Sequence, residues 1–255
     1  VSLPDPLASF GRDPARAGLF LDFDGVLSDI AEVHDGARPR PAVPELITAL
    51  VSALGRVAII SGRPVSYLAG WLPVEVDLVG LYGLEWRTGG AHHSWDGAEA
   101  WREVIQEVAD AAATRFGSEL VEPKGLSLTI HYRNEMVDES SVVDWTRARA
   151  VEAGLELRGA KMSVELHPPV GRDKGTALLE LADALDPVAF MGDDLGDLPA
   201  FDALDELERA GVETIRIAVD SAEAPMALLE RADVVVDGPE GAERLLEDLV
   251  EVIAA

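Results

Sequence analysis

The chain has 255 residues, 48% of them hydrophobic, and no cysteine, which allows a large core or two packed units and excludes a disulfide framework or a thiolate metal site. A formal net charge of −26 argues against nucleic acid or an anionic membrane as partner, and no apolar run approaches the roughly 20 residues that span a bilayer. The first segment, VSLPDPLASFGRDPARAG, lacks a basic start followed by an apolar stretch, so no secretory signal is expected and the composition predicts a soluble, cytoplasmic protein.

The first predicted element is LFLDF at 19–23, a short apolar run that reads as a buried parallel strand with a functional loop at its end. A Pro-rich stretch, HDGARPRPAVP, leads to the helical pattern ELITALVSAL, which Gly55 ends. VAII at 57–60 is a second buried strand; SGRP follows, and a helix opens at Val65 after Pro64. VDLVGLYG at 76–83 is a third strand.

The pattern then changes. Residues 98–116 form a long amphipathic helix, 126–133 alternate like a half-exposed strand, and 136–154 form another helix. LELRG and KMSVELHP are two further short strands. After Gly171 the earlier pattern returns: a helix at 174–185, the buried strand VAFMGDD at 188–194, a helix over LPAFDALDELERAG, the strands TIRIAV and ADVVV, and a closing helix. Alternation of this kind predicts an α/β fold, a doubly wound parallel-sheet core from residues 1–82 and 169–255, with 83–168 inserted as a smaller α/β cap.

Polar residues gather where ligands of such sheets bind, outside the carboxyl ends of the strands. Asp22 and Asp24 lie two residues apart just past the first strand, with Phe23 packing behind and Gly25 allowing a sharp turn. Asp22 is placed to attack phosphorus, and Asp24 to protonate a leaving sugar oxygen and then activate water; an ordinary acidic turn is the alternative for this pair alone. Ser61, Gly62 and Arg63 offer a hydroxyl and backbone N–H groups to a phosphate oxygen, unless Ser61 is only a helix cap. Lys174 is one of three lysines in the chain, with Lys124 and Lys161. It stands at a helix N-terminus, where the dipole favours anions, so it points to an anion nearby unless it is a solvated surface lysine. Asp193, Asp194 and Asp197 add carboxylates beside Asp22, a hard oxygen site for Mg2+.

The order DFDGVL, SGR, lysine, GDDLGD resembles the four motifs of the haloacid dehalogenase (HAD) superfamily. The resemblance implies Asp22 as nucleophile, Asp24 as general acid and base, Ser61 and Lys174 on the phosphate, and Mg2+ on Asp22, Asp193 and the backbone carbonyl of Asp24. Asp194 and Asp197 would bind or orient the metal shell. Within the superfamily, GLYGLEW, EPKGLSLTIHYR, KMSVELHP and SGRP resemble segments of the trehalose-6-phosphate phosphatases. By position this places Glu122, Lys124, His131, Arg133 and Glu165, with help from Glu85, on sugar hydroxyls or phosphate.

Two departures stand out. Gly196 and Leu198 replace the threonine and glutamate that the family usually shows in GDD-x-TDE. The resemblance implies hydrolysis of trehalose 6-phosphate with Mg2+; the chain is expected to be a monomer, with a trehalose-6-phosphate synthase as candidate partner. The other readings are a phosphatase or phosphotransferase for another sugar phosphate, and a sugar-phosphate-binding module without catalysis.

Overall fold

A computed structural model describes residues 3–31, 36–132, 137–160, 162–222 and 224–254. The short apolar runs become strands because each is buried on both faces and needs its backbone groups paired within a sheet. β1 (Gly18–Leu21), β2 (Arg56–Ile60), β3 (Asp77–Gly80), β4 (Glu85–Thr88), β5 (Ala91–Ser94), β10 (Val188–Gly192), β11 (Thr214–Asp220) and β12 (Val234–Asp237) form one sheet in the order β12-β11-β10-β1-β2-β3-β4-β5. The ladders from β12 to β3 are parallel, and β3 pairs antiparallel with β4. The predicted doubly wound α/β sheet is therefore present.

Alternation along β1 sends Leu19 and Leu21 to one face and Phe20 to the other. The first face is covered by α1 (Val43–Ala53) and α7 (Gly238–Ile253), through Ile47, Leu50, Leu245 and Leu249. The second is covered by α5 (Lys174–Leu181) and α6 (Leu198–Arg209), through Leu178, Phe201 and Leu204. From β1 the chain proceeds to β2 on one side and returns at β10 on the other, so β1 sits at the switch point of the sheet. Leu21 is level with both Met191 and Ile59, which brings the residues that follow these three strands to one place.

The chain divides into two compact units, Val1–His93 with Arg172–Ala255, and Ser94–Gly171. Strands β4 and β5 lie within the segment predicted as inserted, yet they extend the large sheet as its antiparallel edge. AHHS of β5 carries no apolar run because an edge strand is largely solvated, and EWRT of β4, next to it, is only partly buried. In the second unit β6 (Val121–Pro123), β7 (Leu128–His131), β8 (Glu156–Ala160) and β9 (Ser163–His167) form an antiparallel sheet in the order β6-β7-β9-β8. One strand is predicted over 126–133; the structure has β7 there and pairs it with the separate short strand β6. Leu128, Ile130, Val164 and Leu166 pack with α3 (Arg102–Phe116) and α4 (Glu139–Ala153) through Ile105, Ala112 and Val142. No helix among the described residues is long and apolar enough to cross a membrane.

Candidate active site

Asp22 leaves the end of β1 with its N–H donating to the Met191 carbonyl at 2.9 Å, so the ladder itself fixes its backbone. Its side chain is buried and 2.8 Å from Lys174 Nζ. The same ammonium lies 2.6 Å from Asp197 Oδ1. Lys174 is the first residue of α5, whose N-terminus is fixed by a reciprocal cap between Asp173 and Thr176. At Gly175 a Cβ would stand 2.2 Å from the Pro199 carbonyl oxygen, so only glycine lets α5 approach the start of α6 this closely. The lysine that looked misplaced at a helix N-terminus is thus compensated by two carboxylates.

Asp197 is spent on structure. Besides Lys174, its Oδ2 accepts the N–H groups of Asp193 at 2.8 Å and Asp194 at 3.1 Å. Asp194 Oδ1 accepts the Gly196 N–H at 2.8 Å and caps the 3-10 turn Leu195–Asp197. Leu198, at the departure from the family pattern, starts α6 and packs against the apolar core. Carboxylate oxygens of Asp22, Asp193 and Asp197 all lie within 4.8 Å of one another. Gly25, at φ +76°, passes so near Asp193 that a Cβ there would stand 2.1 Å from its Oδ2.

Electrostatics make this cluster unbalanced. Burial pushes the Asp22 carboxyl well above the usual range; Lys174 opposes that, and Asp197, Asp193 and Asp194 add to it. Burial would pull the Lys174 ammonium down, but Asp197 and Asp22 outweigh it and hold it well above the ordinary lysine value. Crowded, buried carboxylate oxygens with one lysine between them are a donor set that fits a hard divalent cation. Asp22, Asp193 and Asp197 supply these oxygens, with Asp22 and Asp197 sharing Lys174 and Asp197 also bracing the Asp193 and Asp194 backbone, and one or two carboxylates are the usual protein share for Mg2+.

The SGR turn follows β2. Ser61 is buried, and its Oγ accepts the Arg63 N–H at 3.1 Å, so the hydroxyl braces the turn. Arg63, predicted on phosphate, instead places Nε and Nη2 on the two oxygens of Asp24, each at 2.8 Å. Glu85, predicted on the sugar, has Oε1 accepting the Val65 N–H at 2.6 Å, where it caps α2 (Val65–Leu68). Gly62 faces Tyr82, whose hydroxyl would be 2.7 Å from a Cβ there. Tyr82 also lies beneath Lys174, 5.9 Å from ring centroid to Nζ, and has a left-handed backbone at φ 57°. Tyr82 carries no motif, and its only sequence signal is an aromatic residue between the glycines of GLYG.

In the second unit, alternation turns Ser163, Glu165 and His167 of β9 away from the apolar core. Glu165 is buried and accepts from Lys124 Nζ and Ser127 Oγ, both at 3.1 Å. Burial alone would raise the Glu165 carboxyl; Lys124, then His167, hold it far below the usual carboxylate range. Burial pulls His167 below its ordinary value. Glu122 and His131 pair at 2.9 Å across β6 and β7. Ser127 and His167 went unpredicted, although His167 shares the Glu165 face by the two-residue period of a strand. Arg133 lies outside the described residues, as does Lys161. Lys124→Met strands Glu165 in a buried position and is expected to cost about 3 kcal/mol in chemical denaturation.

The model of the trehalose-phosphatase family matches residues 20–233. A trehalose-phosphate phosphatase of Mycobacterium leprae (strain TN) is 30% identical over 274 residues, covering 97% of this chain and 62% of that protein. An uncharacterised glycosyl hydrolase of Mycobacterium tuberculosis (strain ATCC 25618 / H37Rv) is 35% identical over 211 residues, covering 76% of this chain and 15% of that protein. The chain therefore spans less than two thirds of these relatives. The C-terminal domain of Candida albicans trehalose-6-phosphate phosphatase superposes with a TM-score of 0.79 at 20% identity, covering 98% of both chains, a likeness of fold. With the family model running from β1 to the threshold of β12, through every motif of the site, the chain belongs to the trehalose-phosphatase family.

Proposed function

We propose that the chain hydrolyses trehalose 6-phosphate to trehalose and phosphate, with Asp22 as nucleophile. The observation that carries this reading is the buried Asp22 held 2.8 Å from Lys174 Nζ amid the Asp193 and Asp197 carboxylates. An Asp22 oxygen forms a bond to phosphorus as the bridging P–O bond breaks, and the Asp24 carboxyl delivers its proton to the departing sugar oxygen. Asp24, now a carboxylate, takes a proton from water; the hydroxide attacks phosphorus and the Asp22–phosphate bond breaks. Lys174 balances the phosphoryl oxygens, and Ser61 with the Gly62 turn shapes their cradle. Asp22, Asp193 and the Asp24 carbonyl would hold Mg2+, which would supply positive charge against the repulsion between dianion and nucleophile.

Residues of the inserted unit, Glu122, Lys124, His131, Arg133 and Glu165, are proposed to read the sugar hydroxyls. Glu122, His131 and Glu165 share one face of the sheet by register, and charged groups gathered in this way suit a disaccharide rich in hydroxyls. The same reading takes the enzyme as cytoplasmic and monomeric, with a trehalose-6-phosphate synthase supplying its substrate. The test is phosphate release from trehalose 6-phosphate, glucose 6-phosphate and mannose phosphates, with Mg2+ and with EDTA. Fast release from the first alone, lost in EDTA and restored by Mg2+, is the expected result. Equal rates across the panel would replace the substrate, and release unaffected by EDTA would remove the metal.

A further inference from the structure

We propose that Arg63, braced by Tyr67, is a positioning residue that aims Asp24 at the leaving oxygen, rather than a ligand of the phosphate. This rests on the reading of Asp24 as general acid.

The geometry is a closed frame. Arg63 meets both Asp24 oxygens in a fork, which fixes the plane of the carboxylate as a single point charge would not. The guanidinium lies over the Tyr67 ring, 4.7 Å from its centroid. The Tyr67 ring meets Phe23 edge to face at 6.2 Å, and Phe23 is the residue between the two aspartates. The Tyr67 hydroxyl donates to the Ala37 carbonyl at 2.5 Å and accepts from Arg38 Nη1 at 3.1 Å. Arg63 is also fixed at its backbone, by Ser61 Oγ, and the helix that carries Tyr67 is capped by Glu85. Asp24 itself stands on a turn, with a side chain 37% exposed, and Arg63 holds it there from a side chain 12% exposed. A proton donor loses most of its value when misplaced by an ångström, so a frame of this rigidity acts on the acid step.

The experiment compares kcat/KM, which reads the first chemical step, for two substrates. One is the sugar phosphate that the wild-type enzyme turns over, whose alkoxide must be protonated as it leaves. The other is p-nitrophenyl phosphate, whose leaving group departs as a stable anion. Arg63→Met is expected to lower kcat/KM by about 100-fold on the sugar phosphate and by about threefold on p-nitrophenyl phosphate, the range in which a positioned acid acts. Arg63→Lys keeps the charge but not the fork and is expected to show the same split. Tyr67→Leu, with Arg63 intact, should split the substrates in the same direction by about tenfold, which preserves the test if an Arg63 variant does not fold. Equal losses on both substrates, with a raised KM, would mean that Arg63 grips the phosphoryl group and would overturn the proposal. So would a sugar-phosphate rate within about twofold of wild type, because a positioned proton donor is worth far more than that. Rejection of trehalose 6-phosphate by the wild-type enzyme would instead overturn the substrate assignment, and the comparison would run on whichever sugar phosphate it accepts.

Discussion

Asp22→Asn should abolish turnover, by about 10⁴-fold or more, the scale on which loss of a nucleophile is felt. An amide cannot form the acyl phosphate, and no other carboxylate occupies its place at the end of β1. The fold should survive, and in EDTA the variant should be more stable than wild type at neutral pH. The sign follows from Asp22 being shifted upward, chiefly by burial. The folded state then binds a proton that the unfolded state has released, so the Asp22 contribution falls as pH rises from the ordinary carboxylate value, about 3.9, to the raised one. The amide removes that penalty, whereas adding Mg2+ should raise the thermal midpoint of wild type and not of Asp22→Asn. Phosphate release and thermal unfolding, each with and without Mg2+, check both halves. Retained activity would move the nucleophile elsewhere.

Lys174→Met should be damaging twice over. Lys174 is buried between Asp22 and Asp197. Removing one partner of a buried ion pair costs about 3–5 kcal/mol, since the carboxylates remain without compensation. Activity should fall by about 10³-fold, as when a preorganised electrostatic contact in an active site is lost. The pH signature differs from that of Asp22. Because the folded value of Lys174 is raised, its stabilisation is whole below the ordinary lysine value, about 10.4, and is lost as pH climbs through the folded one. Denaturation between neutral and strongly alkaline pH should therefore show a steep loss for wild type that Lys174→Met lacks. A variant as stable as wild type would show that the two carboxylates do not need the lysine.

The central strands were legible because GLFL, VAII and VAFMG are apolar runs bounded by charged or small residues, the pattern of a strand covered on both faces. Strands β4 and β5 were not, since β4 is only partly buried and β5, a solvated edge strand, needs no apolar residue, and β6 is three residues long and ends in proline. In the site, the backbone placement of Asp22, Ser61 and Asp193 could be read from position at strand ends. Side-chain direction could not. Arg63 can reach a phosphate or a carboxylate from the same Cα, and the structure sends it to Asp24. Glu85 likewise turns to a helix end because the antiparallel return of β4 brings it beside Val65. Nothing in the sequence announced Tyr67, whose partners Phe23 and Ala37 lie about thirty residues or more away in the chain.

The position of β1 in the sheet has a consequence for how the protein is made. β1 ends at Leu21 and its neighbour β10 begins at Val188, with Lys174 between them in sequence. Until the ribosome has released that later segment, β1 is an open edge and Asp22 is an exposed acid with no lysine beside it. Closing so long a loop is slow, and the unpaired edge invites wrong pairing meanwhile. A nascent chain halted before Val188 should therefore be inactive and should bind chaperones that hold exposed strands, and catalysis should appear only when the last third of the chain closes on the first.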